Sequence, residues 1–212
     1  MDLILFGRQG SGKGTQGKYL AERYNLISFV TGDELRKLAQ ENSTLGQKVK
    51  TIIEAGHLVS NEVVMEIIEN FMLKFSENKN VLFDGIPRKP DQAQTFNTLM
   101  QRLNRDFIGV IFEISEAMAI KRLTNRRICE KCKTIYPATY EKPNCECGGN
   151  LITRTDDGNM ESIKTRLTAY ENETVPVIEN YQAQNKIITI NGEQSIDQVN
   201  EDTFAQLDPL FL

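Results

Sequence analysis

Short apolar runs alternate along the chain with stretches in which apolar residues recur at helical spacing. Residues 3–6, 26–30, 81–83, 107–114 and 186–190 read as five strands. Between them, Val64, Ile67, Ile68, Phe71 and Phe75 share one helical face and form a core stripe. Tyr170, Val177, Ile178 and Tyr181 fit a later helix that Pro176 is expected to bend. Strands that alternate with helices predict an α/β fold, a five-stranded parallel sheet with helices on both faces. One stretch breaks the rhythm: about 127–157 holds all the cysteines and many polar residues but no helical period, and reads as a small insertion. Leu207 and the apolar residues after it are expected only to pack on the core.

Composition narrows the function classes. The chain has 212 residues with 25 basic and 29 acidic side chains, a net charge of −4. That length supports one core with small insertions. An acidic balance disfavours a general nucleic-acid binder, so any anion site must gather its Lys and Arg locally. No apolar run approaches the roughly 20 residues that span a bilayer, so no membrane partner is expected. The apolar start lacks the cationic flank of a signal peptide, so a cytoplasmic protein is expected. Disulfides are rare there, and the four cysteines point instead to a metal.

The first strand runs into Gly7-Arg8-Gln9-Gly10-Ser11-Gly12-Lys13-Gly14-Thr15. Strand, glycine loop and helix make the context of a phosphate-binding loop, in which backbone N–H groups and the helix N-terminus face one anion. Gly10, Ser11, Gly12, Gly14 and Thr15 would supply the cradle, and Lys13 a full charge. Gly-Lys-Gly-Thr resembles the way adenylate kinases and their relatives write this loop. The family usually has a small residue and Pro where this chain has Arg8 and Gln9. Arg8 is expected to face solvent rather than phosphate.

Two further segments carry the resemblance. Thr31-Gly32-Asp33-Glu34-Leu35-Arg36 alone is a helix-start signal. It is similar to the start of the family's acceptor-nucleotide region, where Thr31 contacts the base or caps the helix and Arg36 pairs with phosphate. Asp84-Gly85-Ile86-Pro87-Arg88 follows a strand, where open parallel sheets bind ligands. The resemblance implies backbone approach at Gly85, a phosphate clamp at Arg88 and a water-mediated Mg²⁺ contact at Asp84. It also implies that Gln92 reads adenine, and that His57, Leu58 and Val59 flank the acceptor base, with His57 on the surface. Uridylate and cytidylate kinases of the same family typically carry Asn at the Gln92 position and Ala at the Thr31 position, so AMP is the expected acceptor.

Arg122 and Arg126 are four apart and are expected to share a helical face. Then come the cysteines, Arg154-Thr155-Asp156-Asp157, and Arg166. This order resembles the family's lid. By resemblance Arg122 stacks on the donor adenine, Arg126, Arg154 and Arg166 bind phosphates, and Asp156 and Asp157 orient two of these arginines. Cys129-x-x-Cys132 has zinc-knuckle spacing. The later pair, Cys145-x-Cys147, is one residue short of the family's usual form, so either the second knuckle is shortened or one ligand is displaced. Structural Zn²⁺ is the expectation, with four free thiols the alternative.

The resemblance therefore implies ATP, AMP and ADP as ligands, Mg²⁺ with ATP, and a monomer. It also implies a core of 1–30, 60–126 and 158–212, an acceptor insertion at 31–59 and a lid at 127–157. The rivals are a UMP/CMP kinase and a non-catalytic nucleotide-binding or zinc-ribbon module.

Overall fold

A computed structural model describes residues 1–55, 57–73, 79–136, 140–154 and 157–212. Phe75 of the expected stripe and Asp156 of the acidic pair lie outside the described residues. The chain runs β1 (Asp2–Phe6), α1 (Lys13–Arg23), β2 (Ile27–Val30), α2 (Thr31–Leu38), α3 (Thr44–Glu54), α4 (Asn61–Met72), β3 (Val81–Asp84), α5 (Pro90–Arg102), β4 (Phe107–Glu113) and α6 (Glu116–Thr124). It continues through β5 (Arg127–Cys129), β6 (Ile135–Tyr136), β7 (Leu151–Thr153), α7 (Met160–Ala169), a π-helical turn (Tyr170–Thr174), α8 (Val175–Ala183), β8 (Ile187–Asn191) and α9 (Ile196–Phe211).

The main sheet has five parallel strands in the order β2-β3-β1-β4-β8. β1 is central and all five of its residues are buried, which is why it reads as an unbroken apolar run rather than an alternating one. Its period of two still sorts its side chains. Ile4 and Phe6 join a cluster with α4, α5 and α8, through Ile68, Phe96 and Tyr181. Leu3 and Leu5 join another with α1 and α9, through Leu20, Val199 and Leu207. Val64 and Ile68 of the expected stripe are buried, with Ile67 and Phe71 packed beside them.

The C-terminal tail closes the second face. Leu207 is fully buried, the Phe211 ring lies 4.7 Å from that of Tyr24, and Asp208 accepts hydrogen bonds from Arg23 and Tyr24. Pro176 does not bend a continuous α-helix. The distortion lies just before it, as the π-helical turn, and Pro176 sits in the first turn of α8.

β5, β6 and β7 form a separate antiparallel sheet in the order β6-β5-β7, with Ile128 opposite both Ile135 and Ile152. α2 and α3 follow β2, and the small sheet follows α6.

Candidate functional site

β1 delivers the phosphate loop. Gly7 has φ 139°, and a Cβ there would stand 2.6 Å from the Phe112 carbonyl oxygen, so the turn out of the strand admits only glycine. α1 then opens at Lys13 with no side-chain cap and no acidic residue in its first turn. Its positive end therefore has no competing carboxylate. Ser11 is buried with an unpartnered Oγ. The Lys13 ammonium donates to the Gly7 and Arg8 carbonyls, at 3.0 Å to the latter.

β3 delivers Asp84 and the acceptor turn. Gly85 has φ 90°, and a Cβ there would meet the Arg88 guanidinium at 2.5 Å. Arg88 is held from three directions. Its Nε donates to the Gly85 carbonyl at 2.8 Å, its N–H to Gln92 Oε1 at 2.7 Å, and its own carbonyl accepts from Thr174 at 3.0 Å. Gln92 is buried on α5, and this bond turns its oxygen to the backbone and leaves its amide N–H groups as the side chain's donors.

Thr31 does not cap α2. Val30 occupies that position, and the Thr31 hydroxyl is buried without a partner. Arg36 pairs with Asp33 one turn away at 2.5 Å. Leu58 is half-buried, Val59 is buried and His57 is exposed. His57 lines a cleft of about 640 Å³ against α7, with Met160, Lys164 and Thr168.

Arg122 and Arg126 do not share a helix. Thr124 and Asn125 bond back to the Ile120 and Lys121 carbonyls and end α6, so Arg126 lies between helix and β5. Arg122 donates to the Gly10 carbonyl at 3.3 Å, which ties α6 to the phosphate loop. Asp157, with a side chain 0% exposed, bridges Arg126 at 2.5 Å and Arg166 of α7 at 2.7 Å. It holds both guanidinium groups in place without exposing itself.

These cations lie within one another's fields. Burial lowers the Lys13 ammonium to about 8, and Arg88, Arg126 and Arg166 push it the same way while Asp84 opposes. Burial also lowers Arg88, whose neighbours in charge are Asp84, Arg166, Arg36 and Arg154. Burial lowers Arg126 to about 10, with the charge of Arg154 next in weight. Six cations thus converge between the phosphate loop and the acceptor turn. Like charges held this close favour an anion placed between them.

The lowered ammonium sets a pH dependence. Lys13 loses its charge as pH rises through about 8. The affinity of the free protein for a phosphate anion should therefore fall above about pH 8, and an affinity that stays flat to about pH 9.5 would remove Lys13 from the anion cradle.

In the small sheet, the Sγ atoms of Cys129, Cys132, Cys145 and Cys147 lie within 4.8 Å of one another. Cys129 and Cys147 are 3.5 Å apart, and Cys132 and Cys145 3.4 Å. Four thiolates around Zn²⁺ at about 2.3 Å stand about 3.8 Å apart, so the donor set fits a closed tetrahedral site. The short Cys145-x-Cys147 pair keeps both of its sulfurs in the cluster. A turn closed by Gly148 N–H to the Cys145 carbonyl, at 2.8 Å, brings both sulfurs inward. The Tyr136 hydroxyl lies 3.1 Å from Cys145 Sγ.

Known proteins resemble the chain along most of its length. The family model described as adenylate kinase matches residues 5–186. An adenylate kinase of Methanocella arvoryzae is 36% identical over 213 residues, 98% of each chain. One of Thermosipho africanus is 37% identical over 205 residues, 94% of this chain and 95% of its own. One of Staphylococcus epidermidis is 34% identical over 215 residues, 99% of this chain and all of its own.

Proposed function

Since the chain belongs to the adenylate kinase family, we propose that it transfers the terminal phosphoryl group of ATP to AMP, reversibly, giving two ADP. The convergence of six cations on one slot between two strand ends carries this reading. Residues 31–59 serve as the acceptor-binding unit and residues 127–157 as the lid.

The phosphate loop and Lys13 hold the β and γ phosphates of ATP. Arg36 and Arg88 hold the phosphate of AMP, with the buried Thr31 hydroxyl and the Gln92 amide facing its base. Arg126, Arg154 and Arg166 lie over the migrating group. Phosphoryl transfer asks for in-line placement and positive charge more than for covalent help, and these groups supply both. Asp157 keeps two of the arginines aimed, and the lid excludes water, which would otherwise divert the phosphoryl group. Asp84, beside Lys13 and Arg88, would hold Mg²⁺ through water, and that ion neutralises charge on the ATP phosphates.

An acceptor panel tests the reading. With MgATP, ADP should form with AMP and far more slowly with UMP or CMP. Preference for a pyrimidine acceptor would reassign Thr31 and Gln92, and ADP formation without any acceptor would overturn the transfer reaction itself.

Cys129, Cys132, Cys145 and Cys147 would hold one structural Zn²⁺. Metal analysis should find about one zinc per chain, and stripping it should lower the melting temperature, because a small sheet with little apolar core depends on its staple. Metal-free protein with an unchanged melting temperature would leave the thiols without that role.

A further inference from the structure

We infer that the π-helical turn Tyr170–Thr174 is a brace that fixes the phosphate loop and the acceptor turn to the helix carrying Arg166, with Glu171 and Thr174 as positioning residues. The brace presupposes the proposed transfer of phosphate from ATP to AMP, and its residues act through others rather than on substrate.

The two loops leave the ends of the paired strands β1 and β3, which set the spacing of their roots but not of the irregular backbone beyond. Long-range contacts tie that backbone down. Arg8 reaches out of the phosphate loop to Glu171, with Nη2 at 2.5 Å and Nε at 2.8 Å from Oε1. The same guanidinium donates to the Ile114 carbonyl at 2.7 Å and lies 5.4 Å from the Tyr170 ring centre. Arg8 is therefore a part-exposed charge, its side chain 26% accessible, that is engaged in a tie to Glu171. On the other side, the Thr174 hydroxyl donates to the Arg88 carbonyl at 3.0 Å, and Glu173 pairs with Lys89 at 3.5 Å. Five consecutive residues thus grip two loops whose separation sets the gap between donor and acceptor phosphates.

The local geometry suits this task. A helical threonine ordinarily turns its hydroxyl back to the carbonyl one turn earlier. Thr174 is buried and donates instead to a residue 86 positions away in sequence. A π turn inserts one residue, which rotates the downstream helix by about 100° relative to an uninterrupted one. Arg166 can then face Asp157 while α8, after the turn, still buries Val177, Ile178 and Tyr181 in the core.

Steady-state kinetics of three variants tests the brace. Thr174→Val keeps the shape and removes the hydroxyl. It should raise KM for AMP about fivefold, the scale of one hydrogen bond, with KM for ATP unchanged, and Thr174→Ser should restore it. Glu171→Gln weakens an exposed tie and should raise KM for MgATP about twofold with KM for AMP unchanged. Were Arg8 a phosphate ligand instead, freeing it would lower KM for MgATP. If Thr174→Val does not fold, Glu171→Gln carries the test. The brace is overturned if, in a wild type that makes ADP, each variant leaves its own substrate's KM unchanged, shifts both KM values together, or, for Thr174→Ser, fails to restore. A wild type that forms no ADP would overturn the proposed reaction instead.

Discussion

Arg88→Ala is expected to lower kcat/KM for AMP by about a thousandfold while leaving the affinity for MgATP nearly unchanged. Arg88 is half-buried, and its guanidinium sits in the combined field of Asp84, Arg166, Arg36 and Arg154. A charged donor in a site shielded from water is worth far more than one in solvent, and removing one such donor typically costs a factor of about 10²–10³. A position that also orients the acceptor falls at the upper end. Initial rates at saturating ATP with AMP varied, beside ATP binding measured alone, give the two numbers. A variant that keeps wild-type turnover would dissolve the acceptor site as drawn.

Asp157→Ala should lower both stability and turnover. The carboxylate is wholly enclosed and is shared by Arg126 and Arg166, whose side chains are only 14% and 12% exposed. Removing one partner of a buried ion pair costs about 3–5 kcal/mol, because the remaining charge stays desolvated. Here one carboxylate serves two guanidinium groups, with Arg154 also near Arg126. For a chain of this size, the melting temperature should drop by roughly 10 °C. Thermal unfolding followed by circular dichroism checks this, with Asp157→Asn as the isosteric companion. An unchanged melting temperature would mean that the two arginines find water readily and that Asp157 holds neither.

The main sheet is legible in the sequence because parallel strands buried on both faces leave unbroken apolar runs, as in Leu3 to Phe6. The phosphate loop is legible because its chemistry demands fixed residues at fixed spacing. The small sheet is not, since β6 is two residues long and the cluster beneath it is built of Cys129, Cys145 and Tyr136 rather than of an apolar alternation. Spacing places Arg126 beside Arg122 on one helix, but it cannot report that Thr124 and Asn125 close that helix first. Arg8 reads as a solvated charge because its partner Glu171 is 163 residues distant and carries no local signal. Nor does any sequence period distinguish a π turn from the α-helix on either side of it.

The position of β1 bears on how the chain assembles as it is made. Its hydrogen-bonding partners are β3 and β4, which end at Asp84 and Glu113. β1 therefore has no sheet neighbour until β3 is complete, about two-fifths of the way along the 212 residues. At typical synthesis speeds, that is roughly 4–16 s of waiting. Until then Leu3 and Leu5 have, of the cluster they later join, only α1, through Leu20, and the residues just after it, and the strand's backbone edges stay open to whatever else can pair with them.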